Sequence, residues 1–395
     1  MNSVTKLLPL IFLLLCLNQI QAGSFDTLLK KQVTASGWVP SSEIYYNPEK
    51  NLAEVGKVFF ETEKLSINGF ISCRTCHRDE FGSADGLPVA AATGHYLLKK
   101  PGAGSIVGKE RMQAGAKLLP RNTLAFWGRG AKGFDTFFWD GKVDFQNDKK
   151  DSQFGSKAPS EDSLVVAAHL PVVEIREMLS EDEFVVANKR ESVDHAKKIF
   201  DKIANNLRNG EPEASKELAN LINKKTIDLS YTDYARAISS FIREEFKIKE
   251  TKFEKYMLDK GKLDKDEQKG ALIFYGKGSC VSCHSGAHFS DFDFHSVAFP
   301  QVGFGRNGFG VDYGRYNATF NPDDLYQFRT PPLYNVAKTA PYGHSGSIES
   351  LEKAIIAHFD PLRIIDVKNL DGYARHEFYK QLSKTVPNEI LDKLY

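Results

Sequence analysis

Cys73-Arg74-Thr75-Cys76-His77 recurs 207 residues later as Cys280-Val281-Ser282-Cys283-His284. Each is a C-x-x-C-H pentad, the attachment signature of a c-type haem. Two thiols separated by two residues can each add across a vinyl group of one porphyrin, and the histidine that follows is then held against the iron. A zinc site would instead close two cysteine pairs, or one pair and two histidines, around a single ion. A redox dithiol would open a helix in a βαβ pattern. Neither explains a histidine directly after both pairs. The fifth cysteine, Cys16, lies in a segment that reads as removable, so the pentads use every mature cysteine. Two covalent haem c groups are expected, with His77 and His284 as iron ligands.

Met1 to Ala22 has the pattern of a secretory signal: Lys6, an apolar run from Leu7 to Leu17, then Asn18 and Gln19 before Ala22. The run is too short for a membrane span. Leu13-Leu14-Leu15-Cys16 has the outline of a lipoprotein site, but Leu15 is bulky where a small residue is usual. Haem is attached to such pentads outside the cytoplasm in bacteria, so the periplasm is the expected compartment. With 52 Lys+Arg against 51 Asp+Glu, the chain is close to neutral. That argues against a nucleic-acid partner, which would want a basic stripe, and leaves the docking of a redox partner to local patches.

The elements that must position these groups read as mainly α, with long cofactor-binding loops. Ser42 to Phe60 suits a short helix leading to the first pentad, and Gly82 to Gly155 reads mostly as loops. Residues 180–206 and 211–246 show apolar positions at three- and four-residue steps. Leu218, Leu221 and Ile222 form one such face and Tyr234, Ile238 and Phe241 another, both expected in the core. Lys247 to Glu267 is highly charged and expected to be solvated. Gly270 to Tyr275 reads as a helix into the second pentad, and Gly303 to Gly314 as a glycine-rich loop over the second haem. Ser350 to Phe359 returns to helix, with Ser347 as its N-cap.

What opposes each proximal histidine decides the chemistry. A second imidazole or thioether makes an electron-transfer haem, whereas an open position lets peroxide or oxygen bind. Phe137-Phe138-Trp139-Asp140-Gly141, Phe328 to Leu333 and Thr339 to Gly346 accompany the two pentads. Together these motifs resemble the bacterial di-haem cytochrome c peroxidases, a superfamily that includes the MauG-type enzymes. The resemblance runs from about Asn47 to Pro361. It implies two cytochrome c-like α domains: an N-terminal, peroxidatic one over 23–245 after the signal at 1–22, and a C-terminal, electron-transfer one over 246–361. Residues 362–395 would pack back on the first domain.

Further roles follow from the resemblance position by position. Trp139 matches the tryptophan between the haems. Asn122 matches a calcium-binding asparagine, and Thr339 and Pro341 match positions that offer backbone carbonyls to the same Ca2+ ion. Such a set of hard oxygens suits calcium. Pro171 to Met178 resembles the stretch with the family's acid–base glutamate, which directly precedes a methionine. That selects Glu177, with Glu174 as the alternative register. His95 sits where the peroxidases have a removable distal ligand of the first haem, a ligand that MauG-type relatives lack. At the second haem many peroxidases have an axial methionine fourteen residues after the position of His344. This chain has His358 there, and a histidine in place of methionine stabilises the ferric state. His344 is expected to orient the site without binding iron.

The leading functional expectation is a periplasmic peroxidase that reduces hydrogen peroxide to water with electrons from a small cytochrome c or cupredoxin. A MauG-like oxidation of Trp or Tyr side chains in a partner protein is the second reading, and a non-enzymatic di-haem electron carrier the third. Homodimers are common in the family that this chain resembles.

Overall fold

The computed structural model describes residues 25–94, 102–179, 193–364 and 380–381. The expected signal segment with Cys16, the distal candidate His95 and the predicted helical residues 180–192 lie outside the described residues.

The chain divides into two compact units, neither of which is one continuous stretch. Tyr45–Lys247 joins Phe292–Tyr395, and the residues up to Ile44 join Ile248–Asp291. In the larger unit, the helix Lys50–Glu61 buries Leu52, Val55, Phe59 and Phe60 on one face. Full burial of each such side chain stabilises by roughly 1.5–3 kcal/mol. That face packs on the helix Tyr231–Glu245, whose Tyr234, Ile238 and Phe241 are buried as their spacing predicts. Phe59 meets Tyr234 edge-on at 4.8 Å, and Phe60 meets Phe241 at 5.0 Å. Gly56 lies at the crossing, where an added Cβ would sit 1.9 Å from the Ala237 carbonyl oxygen. A capping box of Ser230 and Asp233 starts the second helix. The helices Val193–Gly210 and Pro212–Leu221 complete this side, with Leu218 buried and Leu221 and Ile222 partly so against the same core.

In the smaller unit the helices Lys252–Met257 and Lys265–Phe274 precede the second pentad. The charged run Lys247 to Glu267 departs from its expectation of full solvation. Glu254 and Tyr256 are buried, because the short helix turns them inward: Ser41 donates to Glu254 Oε1 from both N and Oγ, at 3.1 and 3.0 Å, and Tyr256 Oη donates to Asp26 at 2.8 Å.

Strands are two to four residues long and form small antiparallel sheets, so the fold is mainly α with extensive loops. The glycine-rich stretch is a hairpin of Phe304–Gly305 against Gly308–Phe309. The helix Leu351–Phe359 is capped by Ser350, whose side chain accepts from Lys353 N at 3.2 Å. Ser347 does not cap it. Tyr342 and Ile348 exchange backbone hydrogen bonds of 2.7 and 3.2 Å, which holds 342–348 in a bridged loop and delays the helix. Gln381 Nε2 donates to the carbonyls of Val297 and Phe299, both at 3.2 Å, in the larger unit.

Candidate haem cavity and active site

Both pentads fold alike. Each opens on a 3-10 turn in which the histidine N–H donates to the first cysteine carbonyl, at 3.0 Å for His77 and 2.9 Å for His284. In each ring Nδ1 donates to a carbonyl further on: Ser83 O at 2.8 Å for His77 and Phe289 O at 2.9 Å for His284. The lone pair then lies on Nε2, the arrangement a metal-ligating imidazole needs. None of Cys73, Cys76, Cys280 and Cys283 is tied up in a disulfide. The donor set of each pentad therefore fits a thioether-linked haem with one protein imidazole.

The first pentad lines a cavity of about 480 Å3, with Cys73, Cys76 and His77 in the wall. Apolar side chains such as Ile71, Phe126, Leu164, Val172 and Ile238 supply most of the remaining surface, as a porphyrin face requires. Burial acts on the pentad's own titratable groups. It pushes the Cys73 thiol up to about 12 and the Cys76 thiol up as well, so both stay protonated until they react. Burial, reinforced by the nearby Arg129 charge, lowers the His77 imidazole to about 3. The ring is neutral at physiological pH, the state that binds iron.

Glu177 and Glu174 both line this cavity, in different environments. Lys142 Nζ binds Glu174 Oε2 at 2.8 Å and Arg306 approaches Oε1 at 3.6 Å. Although burial alone would raise the Glu174 carboxyl, these two cations hold it below the ordinary range. Glu177 is pushed up to about 7, mainly by burial, with Lys142 pulling down and Glu174 pushing up. One carboxyl is thus a fixed anion and the other titrates near neutrality. Arg306 comes from the tip of the glycine-rich hairpin, and Phe304 and Gly305 also line the cavity. The hairpin expected over the second haem is part of the first pentad's wall.

Trp139 lies in the wall of the same cavity and of a smaller one of about 90 Å3. Its Nε1 donates to Asn122 O at 2.9 Å. Phe138 before it has φ of 67°, uncommon for a bulky residue. Arg329 fixes both neighbours, since its Nε donates to Phe138 O at 3.0 Å and its backbone N to Trp139 O at 2.8 Å. The small cavity also contains Asn122, Thr339 and Pro341. The Asn122 amide stands 2.7 Å from Pro341 O. Calcium takes hard oxygen donors, which here would be Asn122 Oδ1 and the backbone carbonyls of Thr339 and Pro341 rather than the amide nitrogen.

His358 is on the exposed side of the helix Leu351–Phe359, with Nδ1 donating to Ala354 O at 2.7 Å, so its lone pair also lies on Nε2. His344 is buried, stacked on Phe328 at 3.9 Å, with Nε2 3.1 Å from Gln301 Oε1. Burial lowers it to about 4. It behaves as a neutral, hydrogen-bonded core histidine, as does His169 between Val165 O and Thr232 Oγ1.

Residues 50–262, more than half of the chain, match the family described as di-haem cytochrome c peroxidase. This chain belongs to that family. Methylamine utilization protein MauG of Methylorubrum extorquens is 26% identical over 79% of this chain and 69% of its own length. Cytochrome c551 peroxidase of Pseudomonas aeruginosa is 28% identical over 85% and 77%. The solved diheme peroxidase BthA from Burkholderia thailandensis superposes with a TM-score of 0.57 over 83% of this chain and 76% of that one, at 18% identity. A crystal structure of a MauG-like protein associated with microbial copper homeostasis gives 0.56 over 81% and 78%, at 21% identity. At those identities the structural likeness speaks for the fold alone.

Several residues of this peroxidase-family site were not singled out by the sequence. Lys142 directly follows the Trp139-Asp140-Gly141 motif, a position that could have drawn notice. Arg121 gives no comparable signal. It clamps Asp312 with bonds of 2.7 and 2.9 Å and reaches Asp140 at 2.6 Å, joining segments nearly two hundred residues apart in the chain.

Proposed function

We propose that this member of the family is a di-haem peroxidase that reduces hydrogen peroxide to water at the cavity of the first pentad. The observation that carries this reading is Glu177: a carboxyl on the wall of the haem-sized cavity, poised near neutrality beside a permanently ionised Glu174. A haem held by His77 would supply an iron that can bind and cleave peroxide. The chain supplies the rest. Ser83 O fixes the His77 ring in the Nε2-coordinating tautomer. Apolar walls exclude bulk water, and Glu177 takes a proton from one peroxide oxygen and delivers it to the other as that oxygen leaves. Two electrons and two further protons complete two molecules of water.

The His77 pentad is assigned the peroxidatic haem and the His284 pentad the electron-transfer haem. Trp139, which lines the first cavity, is assigned the aromatic relay of electrons to the His77 haem, held by Asn122 O and Arg329. Asn122, Thr339 and Pro341 would hold one Ca2+. The expected setting is the periplasm, with a small cytochrome c or cupredoxin as donor. Steady-state turnover of peroxide by the loaded protein with a reduced small c-type cytochrome tests the reading. Oxidation of the cytochrome at two equivalents per peroxide is expected. Slow donor oxidation accompanied by peroxide-dependent covalent change at Trp or Tyr of a partner protein would replace it with the MauG-like activity.

A further inference from the structure

Behind His77 the larger unit builds an aromatic and cationic stack. The imidazole lies against Phe126 with centroids 3.8 Å apart and planes 17° from parallel. The guanidinium carbon of Arg129 lies over the same Phe126 ring at 4.6 Å, within cation–π range. Arg129 is only 8% exposed. Its Nε donates to Ala125 O at 3.0 Å and its second terminal nitrogen to Leu124 O at 3.3 Å. Among the described residues no carboxylate stands within ion-pair distance of it. The charge acting on it is a second buried guanidinium, Arg329.

A buried cation without a counter-ion is costly, and burial lowers Arg129 to about 9, which still leaves it charged at neutral pH. Arg74 also acts on His77, but it pairs with Glu61 at 3.3 Å and Asp79 at 2.7 Å, so its field is largely offset. Of the two cations that act on His77, Arg129 is the one with no carboxylate partner among the described residues, and it lines the same cavity.

We propose that Arg129 is a positioning residue that sets the reduction potential of the His77 haem, its buried charge favouring the ferrous iron and its contact with Phe126 fixing the ring against which His77 stacks. In a poorly polarisable interior such a charge acts on the iron far more strongly than it would in water. The inference rests on a haem being attached at the first pentad and does not require peroxide turnover.

Potentiometric titration of the two-haem protein tests it, with haem content per chain measured separately as the pyridine haemochrome. The component lost in a Cys280→Ser, Cys283→Ser variant identifies the second haem, leaving the other as the His77 haem. Arg129→Gln keeps a donor for the neighbouring carbonyls and Arg129→Met keeps bulk, and both remove the charge. Each is expected to raise the ferric-to-ferrous ratio of the His77 haem at a fixed potential by about tenfold, equivalent to 59 mV for a one-electron couple. The His284 component should not move, and Arg129→Lys should restore most of the wild-type value. An unmoved His77 component in the neutral variants, an equal shift of both haems, or a lysine variant as displaced as the neutral ones would overturn the proposal. A protein with fewer than two haems would instead break the underlying reading.

Discussion

Glu177 and Glu174 are three residues apart on one cavity wall, yet their neighbours drive them in opposite directions. If Glu177 must accept the peroxide proton, kcat/KM for peroxide rises with pH and levels off above about 7. Glu174→Gln removes the anion that pushes Glu177 up, so it is expected to move that inflection to lower pH without abolishing turnover. A pH profile unaltered by this substitution would disconnect the two carboxyls. Stability offers an independent check. Folded Glu177 keeps its proton to about pH 7, whereas the unfolded residue loses it near 4.5. Between those values the folded chain binds more protons, so its stability falls as pH rises through the window. Glu177→Gln lacks this dependence. Its Tm relative to wild type should be higher at pH 8 than at pH 4, and a difference independent of pH would count against the raised carboxyl.

At the scale of elements, the crossing of Lys50–Glu61 with Tyr231–Glu245 underlies the wall of the first cavity, because Ile238 and Ile242 of the second helix line it. The helices meet at Gly56, with backbone oxygen where a Cβ would stand. Gly56→Ala is therefore expected to destabilise the protein by about 1–3 kcal/mol through overpacking, read as a lower urea midpoint at unchanged slope. An unaffected midpoint would mean that the helices are not so close. The apolar periodicity of these helices was legible, since Tyr234, Ile238 and Phe241 needed only a three- and four-residue step. The inward turn of Glu254 and Tyr256 was not, because local charge density reads as solvation and their partners, Ser41 and Asp26, are more than two hundred residues away in sequence. The cap at Ser350 was hidden for a related reason: the Tyr342–Ile348 bridge, which no cap pattern signals, sets where the helix can begin.

For the whole molecule, two repeated pentads specified the cofactor, and no other feature of the sequence was as informative. Composition and charge argued against nucleic acid and left the donor open. The division of the chain was harder to read, because residues 25–44 fold with Ile248–Asp291 and the linear order hides such pairings. If Asn122, Thr339 and Pro341 hold calcium, chelation of the loaded protein should lower its turnover, and added Ca2+ should restore it while Mg2+, which prefers smaller octahedral sites, should not. Turnover indifferent to chelation would remove the ion from the account. The most direct test of peroxide chemistry at the first cavity is rapid mixing of the two-haem protein with hydrogen peroxide, comparing wild type with Glu177→Gln. The account expects a fast haem absorbance change in wild type, slowed by about 10²–10⁴-fold in the variant. Equal rates in the two proteins, or no reaction in wild type carrying both haems, would contradict it.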